Sequence, residues 1–269
     1  MLFSVLISVY GKDCPRFLDE ALESIYDHQT LKPSEIILVE DGPLNQDLSK
    51  VVVKWKNYLG DTLVIVKNKV NLGLAGALNV GLEYCSHELV ARMDSDDISR
   101  PDRFEIQVDF MTKNPHICAS SGQVIEYDLR VENVLGNRQL PLTNEELKKF
   151  CRTRSPLSHP AVIFRKTDIS VVGGYPRFSN SQDWALWSLL LSKGKLIANV
   201  EEPLLHMRTD NSLYNRRGAK YYFNELKIFR YQKDLGIINY YYYIFNVVSK
   251  GFLRLSPDCV KKLAYGYFR

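Results

Sequence analysis

The chain is poor in features that would mark it as secreted, membrane-spanning or metal-thiolate. Its five cysteines, Cys14, Cys85, Cys118, Cys151 and Cys259, are odd in number and scattered, with no Cys-x-x-Cys pair. Neither a disulfide framework nor a thiolate zinc site is indicated, and a reducing cytosol fits. No stretch reaches the roughly 18 apolar residues that a spanning helix needs. Met1 to Tyr10 has no basic segment leading into a long apolar core, so it reads as a strand and not as a secretory leader. Neither sign of charge dominates: 35 basic against 31 acidic side chains leave a net charge of +4. That balance is only mildly basic, and no DNA-binding or RNA-binding motif accompanies it, so nucleic acid is disfavoured as a partner. What remains is an ordinary globular composition of 269 residues, 45% hydrophobic and 25% charged. One large α/β domain, or two lobes sharing a sheet, is expected.

The most informative feature is the run Met93-Asp94-Ser95-Asp96-Asp97, three carboxylates in four residues directly after the apolar Leu89-Val90-Ala91. Carboxylates packed this closely raise one another's pKa unless a cation neutralises them, and hard divalent ions such as Mn²⁺ or Mg²⁺ take such oxygen ligands. A metal held by one or two carboxylates keeps positions open for a substrate diphosphate. The plain alternative is a solvated turn capping the helix that begins near Pro101.

Strand-like and helix-like segments alternate ahead of this run. Leu2 to Val9 and Glu35 to Val39 are apolar and β-branched, Pro15 to Gln29 has apolar residues at helical spacing, and a helix over Asn45 to Tyr58 follows. A strand over Thr62 to Lys67 and a helix over Ala75 to Cys85 precede the strand Leu89 to Met93. This is the rhythm of βαβ units on a parallel sheet, where ligands gather at the carboxyl ends of strands. Ser8 and Tyr10, Glu40 and Asp41, Asn71 and Gly73, and Asp94 and Asp96 lie at those ends.

These segments, taken together, resemble family-2 glycosyltransferases, inverting enzymes of GT-A fold that use nucleotide sugars. Val5-Leu6-Ile7-Ser8-Val9-Tyr10 is similar to that family's first strand and Val39-Glu40-Asp41-Gly42-Pro43 to its Asp-Asp-Gly-Ser turn. Asn71-Leu72-Gly73 with Ala77-Leu78-Asn79-Val80-Gly81 is similar to its Asn-x-Gly segment and helix, Asp94-Ser95-Asp96 to its metal motif, and Gln182-Asp183-Trp184 to its Glu-Asp-x-x-Trp region. Glu40, Pro43 and Gln182 depart from the usual Asp, Ser and Glu. The match covers roughly residues 1 to 215, and bacterial O-antigen and exopolysaccharide glycosyltransferases of the amylovoran-biosynthesis-like group resemble the chain best.

The resemblance implies an α/β, GT-A (Rossmann-like) fold: a mixed, mostly parallel sheet flanked by helices, with a helical C-terminal extension. Residues 1–100 would form the nucleotide-sugar-binding half and 101–215 the acceptor-binding half of the same domain, with 216–269 a basic aromatic helical tail. It implies donor contacts from Ser8, Tyr10, Asp41, Asn71, Gly73, Arg92, Asp94 and Ser95, with Asp41 accepting from uracil or ribose. Asp41 can equally stabilise an Asx-type turn with Gly42 and Pro43. Asp96 is the expected direct ligand of Mn²⁺ or Mg²⁺ and Asp94 a second, nearer the ribose or sugar. Asp97 would bind through water or cap the next helix. Arg92 and Arg208 can add positive charge or form structural ion pairs. Asp183 is the expected general base on the acceptor hydroxyl, or else a carboxylate favoured by the start of a helix. His159 and Trp184 are acceptor-side candidates, although a hydrogen-bonded structural histidine and a core aromatic are the competing readings.

From Arg216 onward Tyr and Phe alternate with Lys and Arg, through Tyr221-Tyr222-Phe223, Tyr240 to Phe245 and the closing Lys261 to Arg269. Such a tail can rest on an anionic membrane surface, or pack its aromatics on the domain. The implied reaction is transfer of a hexose from UDP-glucose or UDP-galactose, with inversion, to an undecaprenyl-diphosphate-linked GlcNAc or GalNAc, through a β-1,3 bond. The enzyme would be cytoplasmic and peripheral on the inner face of a bacterial plasma membrane. The chain lacks a Gln-x-x-Arg-Trp motif, which disfavours a processive synthase. A sugar-phosphate nucleotidyltransferase would need a better Gly-rich loop than Tyr10-Gly11-Lys12-Asp13. A non-catalytic glycan-binding protein would not need Asp94, Asp96 and Asp183.

Overall fold

The computed structural model describes residues 1–209 and 219–256. The first half builds β1 (Phe3–Val9), α1 (Pro15–Tyr26), β2 (Glu35–Glu40), α2 (Gln46–Leu59), β3 (Leu63–Lys67), α3 (Gly73–Tyr84) and β4 (Leu89–Met93). Each expected element is present, and the ends have local causes. Asn45 caps α2 by accepting the Leu48 N–H at 2.9 Å, while α3 starts earlier than its apolar spacing predicts because Asn71 accepts the Gly73 N–H at 3.1 Å. Then follow β5 (Ile98–Ser99), α4 (Arg103–Lys113), β6 (Ile117–Tyr127), β7 (Val134–Arg138), α5 (Asn144–Cys151), β8 (Ile163–Arg165), α6 (Lys166–Val171), α7 (Gln182–Ser192), β9 (Leu196–Arg208), α8 (Ala219–Asp234) and α9 (Tyr240–Leu255).

The described strands form one mixed sheet in the order β3-β2-β1-β4-β8-β6-β9-β5, with β7 added beside β6. β3, β2, β1 and β4 are mutually parallel, so their carboxyl ends share one edge. β8 runs antiparallel to β4 and β6, and β9 is parallel to β6. Strands β1, β2 and β4 are buried on both faces, which explains their near-continuous apolar sequences. On one face Leu6, Ile37, Val39 and Val90 meet α3 and α7. On the other Val5, Ile7, Ile36 and Leu38 meet Leu18 and Leu22 of α1, Trp55 of α2 and Phe104 of α4. Each such side chain contributes about 1.5–3 kcal/mol of burial. Helix α3 lies so close to the sheet that a Cβ on Gly81 would stand 2.4 Å from Leu6 Cδ1.

The two C-terminal helices are built into this body. Gln232 of α8 is buried and donates to the Cys151 carbonyl at 2.7 Å and to Ser188 Oγ at 2.9 Å. Phe229 meets Trp184 edge-on at 5.7 Å. Helix α9 lies along α8, with Tyr222 Oη donating to the Val247 carbonyl at 2.9 Å and a buried two-pronged pair between Arg254 and Glu225, both bonds 2.9 Å. Asn246 donates to the Arg152 carbonyl at 2.8 Å, fastening α9 to the loop after α5. Among the described residues no helix is long and apolar enough to cross a membrane. The closing run Lys261, Lys262, Tyr265, Tyr267, Phe268 and Arg269 lies outside the described residues.

Candidate active site

At the parallel edge the loops after β1 and β2 come together. Asp41 is buried and ties two loops: its Oδ1 accepts from Asn68 Nδ2 at 3.1 Å and from the Leu72 N–H at 2.8 Å. Its carbonyl accepts from Asn71 Nδ2 at 3.1 Å. Gly42 makes the turn possible, since its φ is 87° and a Cβ there would stand 2.9 Å from the Asn71 nitrogen. Asp41 therefore fixes the β3–α3 loop, an architectural duty on the surface expected to meet the nucleoside. Ser8 is partly accessible and Tyr10 exposed. Sequence reasoning missed Asp13, whose Oδ2 accepts from the Tyr10 N–H at 3.1 Å and from Ser95 Oγ at 2.8 Å. Ser95 is thus joined to the loop after β1. Burial raises the Asp13 carboxyl above its ordinary value, opposed by those two hydrogen bonds.

Asp94, Asp96 and Asp97 each place a ligand atom within 4.8 Å of the others. Asp96 has an accessible side chain in a dense protein surround. Loss of hydration there, with repulsion from Asp94 and Asp13, lifts its carboxyl to about 6. Burial, with repulsion from Asp94 and Asp96, raises Asp97 well above the usual range. A cluster of hard oxygens that cannot all ionise unaided fits a divalent cation. The three are not equivalent. Asp97 Oδ1 accepts the Arg208 N–H at 2.9 Å, a correction to the expected helix cap: it pins the end of β9 and not the start of α4. Arg208 in turn donates from Nη1 to the Asp96 carbonyl at 2.7 Å, pairs with Glu20 of α1 and lies over the Phe17 ring at 4.4 Å. It braces the acidic turn from behind.

Arg92 is fully buried, ion-paired with Asp94. Burial works against its charge, and Asp94 more than offsets that, raising its pKa. Its Nε and Nη1 have no hydrogen-bond partner among the described residues. The same charge is felt by Asp97, His159 and Asp183, so Arg92 sits between the acidic turn and the elements on the far side of the site.

On that far side Ser181, in a left-handed conformation with φ 62°, turns the chain into α7. Asp183 stands in the first turn and its Oδ2 accepts from Ser155 Oγ at 3.0 Å. Desolvation raises its pKa, while the Trp184 N–H, the Ser155 hydroxyl and the Arg92 charge hold the rise down. His159 is buried, 3.1 Å from the Tyr175 hydroxyl through Nε2. Burial and Arg92 push its pKa well down, so it is neutral. Tyr175, also missed by sequence reasoning, is held by Asn79 of α3, which accepts its N–H at 2.7 Å and donates to its carbonyl at 3.0 Å. Trp184 requires correction as an acceptor contact. It is core: its indole N–H donates to the Cys151 carbonyl at 2.7 Å and its ring packs on Phe229, leaving no free face for a sugar. Trp187 is likewise fully buried.

A doubly covered mixed sheet, an acidic turn after its central parallel strand and a carboxylate at a facing helix start define a GT-A glycosyltransferase. The family model for glycosyl transferase family 2 matches residues 4–173, and the chain belongs to that family. It is 39% identical to the amylovoran biosynthesis glycosyltransferase AmsE of Erwinia amylovora, over 98% of each chain. It is also 39% identical to the UDP-Gal:alpha-D-GlcNAc-diphosphoundecaprenol beta-1,3-galactosyltransferase of Escherichia coli, over 98% of this chain and 94% of that protein. Among solved structures, S. aureus TarS 1-349 superposes with a TM-score of 0.68 at 17% identity, over 94% of this chain and 72% of the other. The mannosyltransferase PcManGT from Pyrobaculum calidifontis, solved with GDP-Man and Mn²⁺, gives 0.66 at 15% identity, over 98% and 79%. These likenesses show the shared fold. GT-A glycosyltransferases generally use a divalent metal, and the Asp94, Asp96 and Asp97 cluster supplies suitable ligands.

Proposed function

We propose that the chain transfers galactose from UDP-galactose, with UDP-glucose the competing donor, to a GlcNAc or GalNAc carried on undecaprenyl diphosphate. A β-1,3 bond forms, as a step in O-antigen or exopolysaccharide assembly. The donor and acceptor follow the 39% identical E. coli galactosyltransferase, whose alignment spans nearly the whole of both chains. The observation that supports the mechanism is the acidic turn, with Asp94 paired to the buried Arg92, together with Asp183 in the first turn of α7 within reach of the same charge. On this reading residues 1–100 hold the donor and 101–215 the acceptor. The enzyme works at the inner face of the plasma membrane.

Asp96 and Asp94 would hold Mn²⁺ or Mg²⁺, which when bound supplies Lewis-acid neutralisation of the departing diphosphate. Asp41, Asn71 and Gly73 bound the nucleoside surface after β2 and β3, with Ser8, Tyr10 and Ser95 flanking the diphosphate. Asp183 accepts the proton of the acceptor hydroxyl as that oxygen attacks the anomeric carbon. The bond from that carbon to the diphosphate breaks, UDP leaves, and the α-linked donor yields a β-linked product. The Arg92 charge favours the ionised form of Asp183 against the desolvation that raises its pKa, and its pair with Asp94 brings positive charge to the acidic turn. Neutral His159 holds Tyr175 under the acceptor side.

The test is a panel of UDP-sugars assayed on purified protein with a synthetic lipid-diphosphate GlcNAc acceptor. Transfer from UDP-galactose, with product sensitive to a β-1,3-specific galactosidase, is expected. Transfer of a nucleoside monophosphate to a sugar phosphate instead would assign the nucleotidyltransferase reaction.

A further inference from the structure

Neighbouring loops on the parallel edge are laced together in strand order. The strands stand as β3-β2-β1-β4, and a polar side chain bridges each adjacent pair of the loops that follow them. Asp41, after β2, accepts from Asn68 Nδ2 and the Leu72 N–H, both after β3. Asn45, further along the loop after β2, donates from Nδ2 to the Gly11 carbonyl after β1 at 3.1 Å. Asp13, after β1, accepts from Ser95 Oγ in the turn after β4 at 2.8 Å. The first two links hold together the loops on the nucleoside side. The third joins those loops to the acidic turn.

Asp13 is also tied into its own loop. Its Oδ2, the oxygen that holds Ser95, accepts the Tyr10 N–H at 3.1 Å as well, and its own N–H donates to the Tyr10 carbonyl at 3.0 Å. The Tyr10–Asp13 turn is thereby closed on itself, and one carboxylate oxygen fixes Tyr10 and Ser95 relative to each other. Ser95 is buried, where a hydroxyl without a partner is costly, so the link is not readily given up to water. On the reading that a UDP-sugar lies along this edge, on which the inference rests, we propose that Asp13 is a positioning residue that sets the spacing between the nucleoside end of the donor site and its diphosphate end.

The chemistry of the ligand gives that spacing its importance. A nucleoside diphosphate has two ends: base and ribose meet the loops after β1 and β2, and the diphosphate meets the acidic turn and its cation. Once one end is bound, the other binds at an effective concentration set by how closely the protein holds the two halves at the ligand's own length. Play between the halves lowers that concentration and leaves each half intact, and a misplacement of about 1 Å can lower a rate by about 10²-fold. Asp13 therefore acts on the donor without touching it. A plain loop support would instead weaken the nucleoside half itself, with or without phosphates. A carboxylate that served only through its charge would be lost equally whether or not its hydrogen bonds were kept.

The experiment measures binding of UDP with Mn²⁺ by calorimetry, of uridine by ligand-observed NMR and of Mn²⁺ alone by electron paramagnetic resonance, on the full chain. Asp13→Ala and Asp13→Asn lack the same charge, but the asparagine keeps an oxygen that can accept both bonds, so their difference isolates the link. Asp13→Ala should bind UDP with Mn²⁺ at least about tenfold more weakly than Asp13→Asn, while the two bind uridine, and Mn²⁺ alone, within about twofold of each other. Ser95→Ala breaks the link from its other side. It should lose UDP affinity and keep uridine affinity, and adding it to Asp13→Ala should bring no further loss. Equal UDP affinity in the alanine and asparagine variants overturns the proposal, as does a uridine loss as large as the UDP loss. Ser95→Ala that binds UDP like wild type, or additive losses in the double variant, overturns it too. Wild type that prefers GDP to UDP would overturn the donor assignment alone, because loss of GDP but not of guanosine in Asp13→Ala would still support the link.

Discussion

At the residue scale, the acidic turn divides one job among three carboxylates, and variants should separate them. Asp96→Ala removes the accessible carboxylate of the cluster and should lower kcat by about 10³-fold or more. It also removes a repulsive neighbour of Asp94, so the metal-free variant should melt no lower than wild type. Mn²⁺ should raise the melting temperature of wild type but not of the variant; a retained metal shift would place the ion elsewhere. For Asp183 the sign follows from its raised pKa. In its proposed role as base Asp183 must be ionised, so activity is expected to fall as pH drops through a value above that of an ordinary aspartate. Asp183→Asn should cut kcat by roughly 10²–10⁴-fold while UDP affinity survives. Ser155→Ala deletes a hydrogen bond that favours the ionised form. Its acid limb should therefore move to higher pH, with kcat on the alkaline plateau nearly unchanged. An acid limb that moves down would show that Ser155 does not stabilise the carboxylate.

At the element scale, what was legible in the sequence and what was not divides along sequence distance. The strand β4 and its acidic turn announce themselves because apolar and charged residues sit side by side. Helices α2 and α3 were expected to within a few residues because cap and spacing are local. Asp13 and Tyr175 carried no comparable signal. Asp13 acquires its role through Ser95, 82 positions away, and Tyr175 through Asn79, 96 positions away, and neither periodicity nor composition encodes such pairings. Trp184 misled for the same reason: an aromatic beside a catalytic candidate looks like a sugar platform until α8 covers it. The Asn79 clamp joins α3, whose preceding loop Asp41 fixes, to the turn before α7. Asn79→Ala should cost about 1–3 kcal/mol for its two lost bonds. It should also raise the KM for acceptor more than the KM for UDP-sugar, and a uniform rise in both would show the clamp to be purely structural.

At the scale of the whole molecule, the C-terminal helices are a further layer packed on the doubly covered sheet. The Glu225–Arg254 pair is buried on both sides, with side chains 4% and 7% exposed. Arg254→Ala leaves Glu225 charged in a poorly hydrated place and should destabilise by about 3–5 kcal/mol in denaturant melts, whereas Glu225→Leu with Arg254→Met should recover most of the loss. Equal destabilisation by the single and double variants would show that packing, not charge, is what the pair supplies. The Arg208 brace has a consequence in time. Its bonds to Asp96 and Asp97 span 112 and 111 positions, and β9, which carries it, pairs with the much earlier β6. During synthesis the acidic turn leaves the ribosome more than a hundred residues before the arginine that fixes it. The parallel β1-β2-β3-β4 unit is therefore expected to assemble before the acidic turn is braced. The acidic turn of a nascent chain lacks its brace until Arg208 has emerged. Pulse-labelled hydrogen exchange should find the β1 and β4 amides protected before that of Arg208, and simultaneous protection would show that the site and the sheet form in one step.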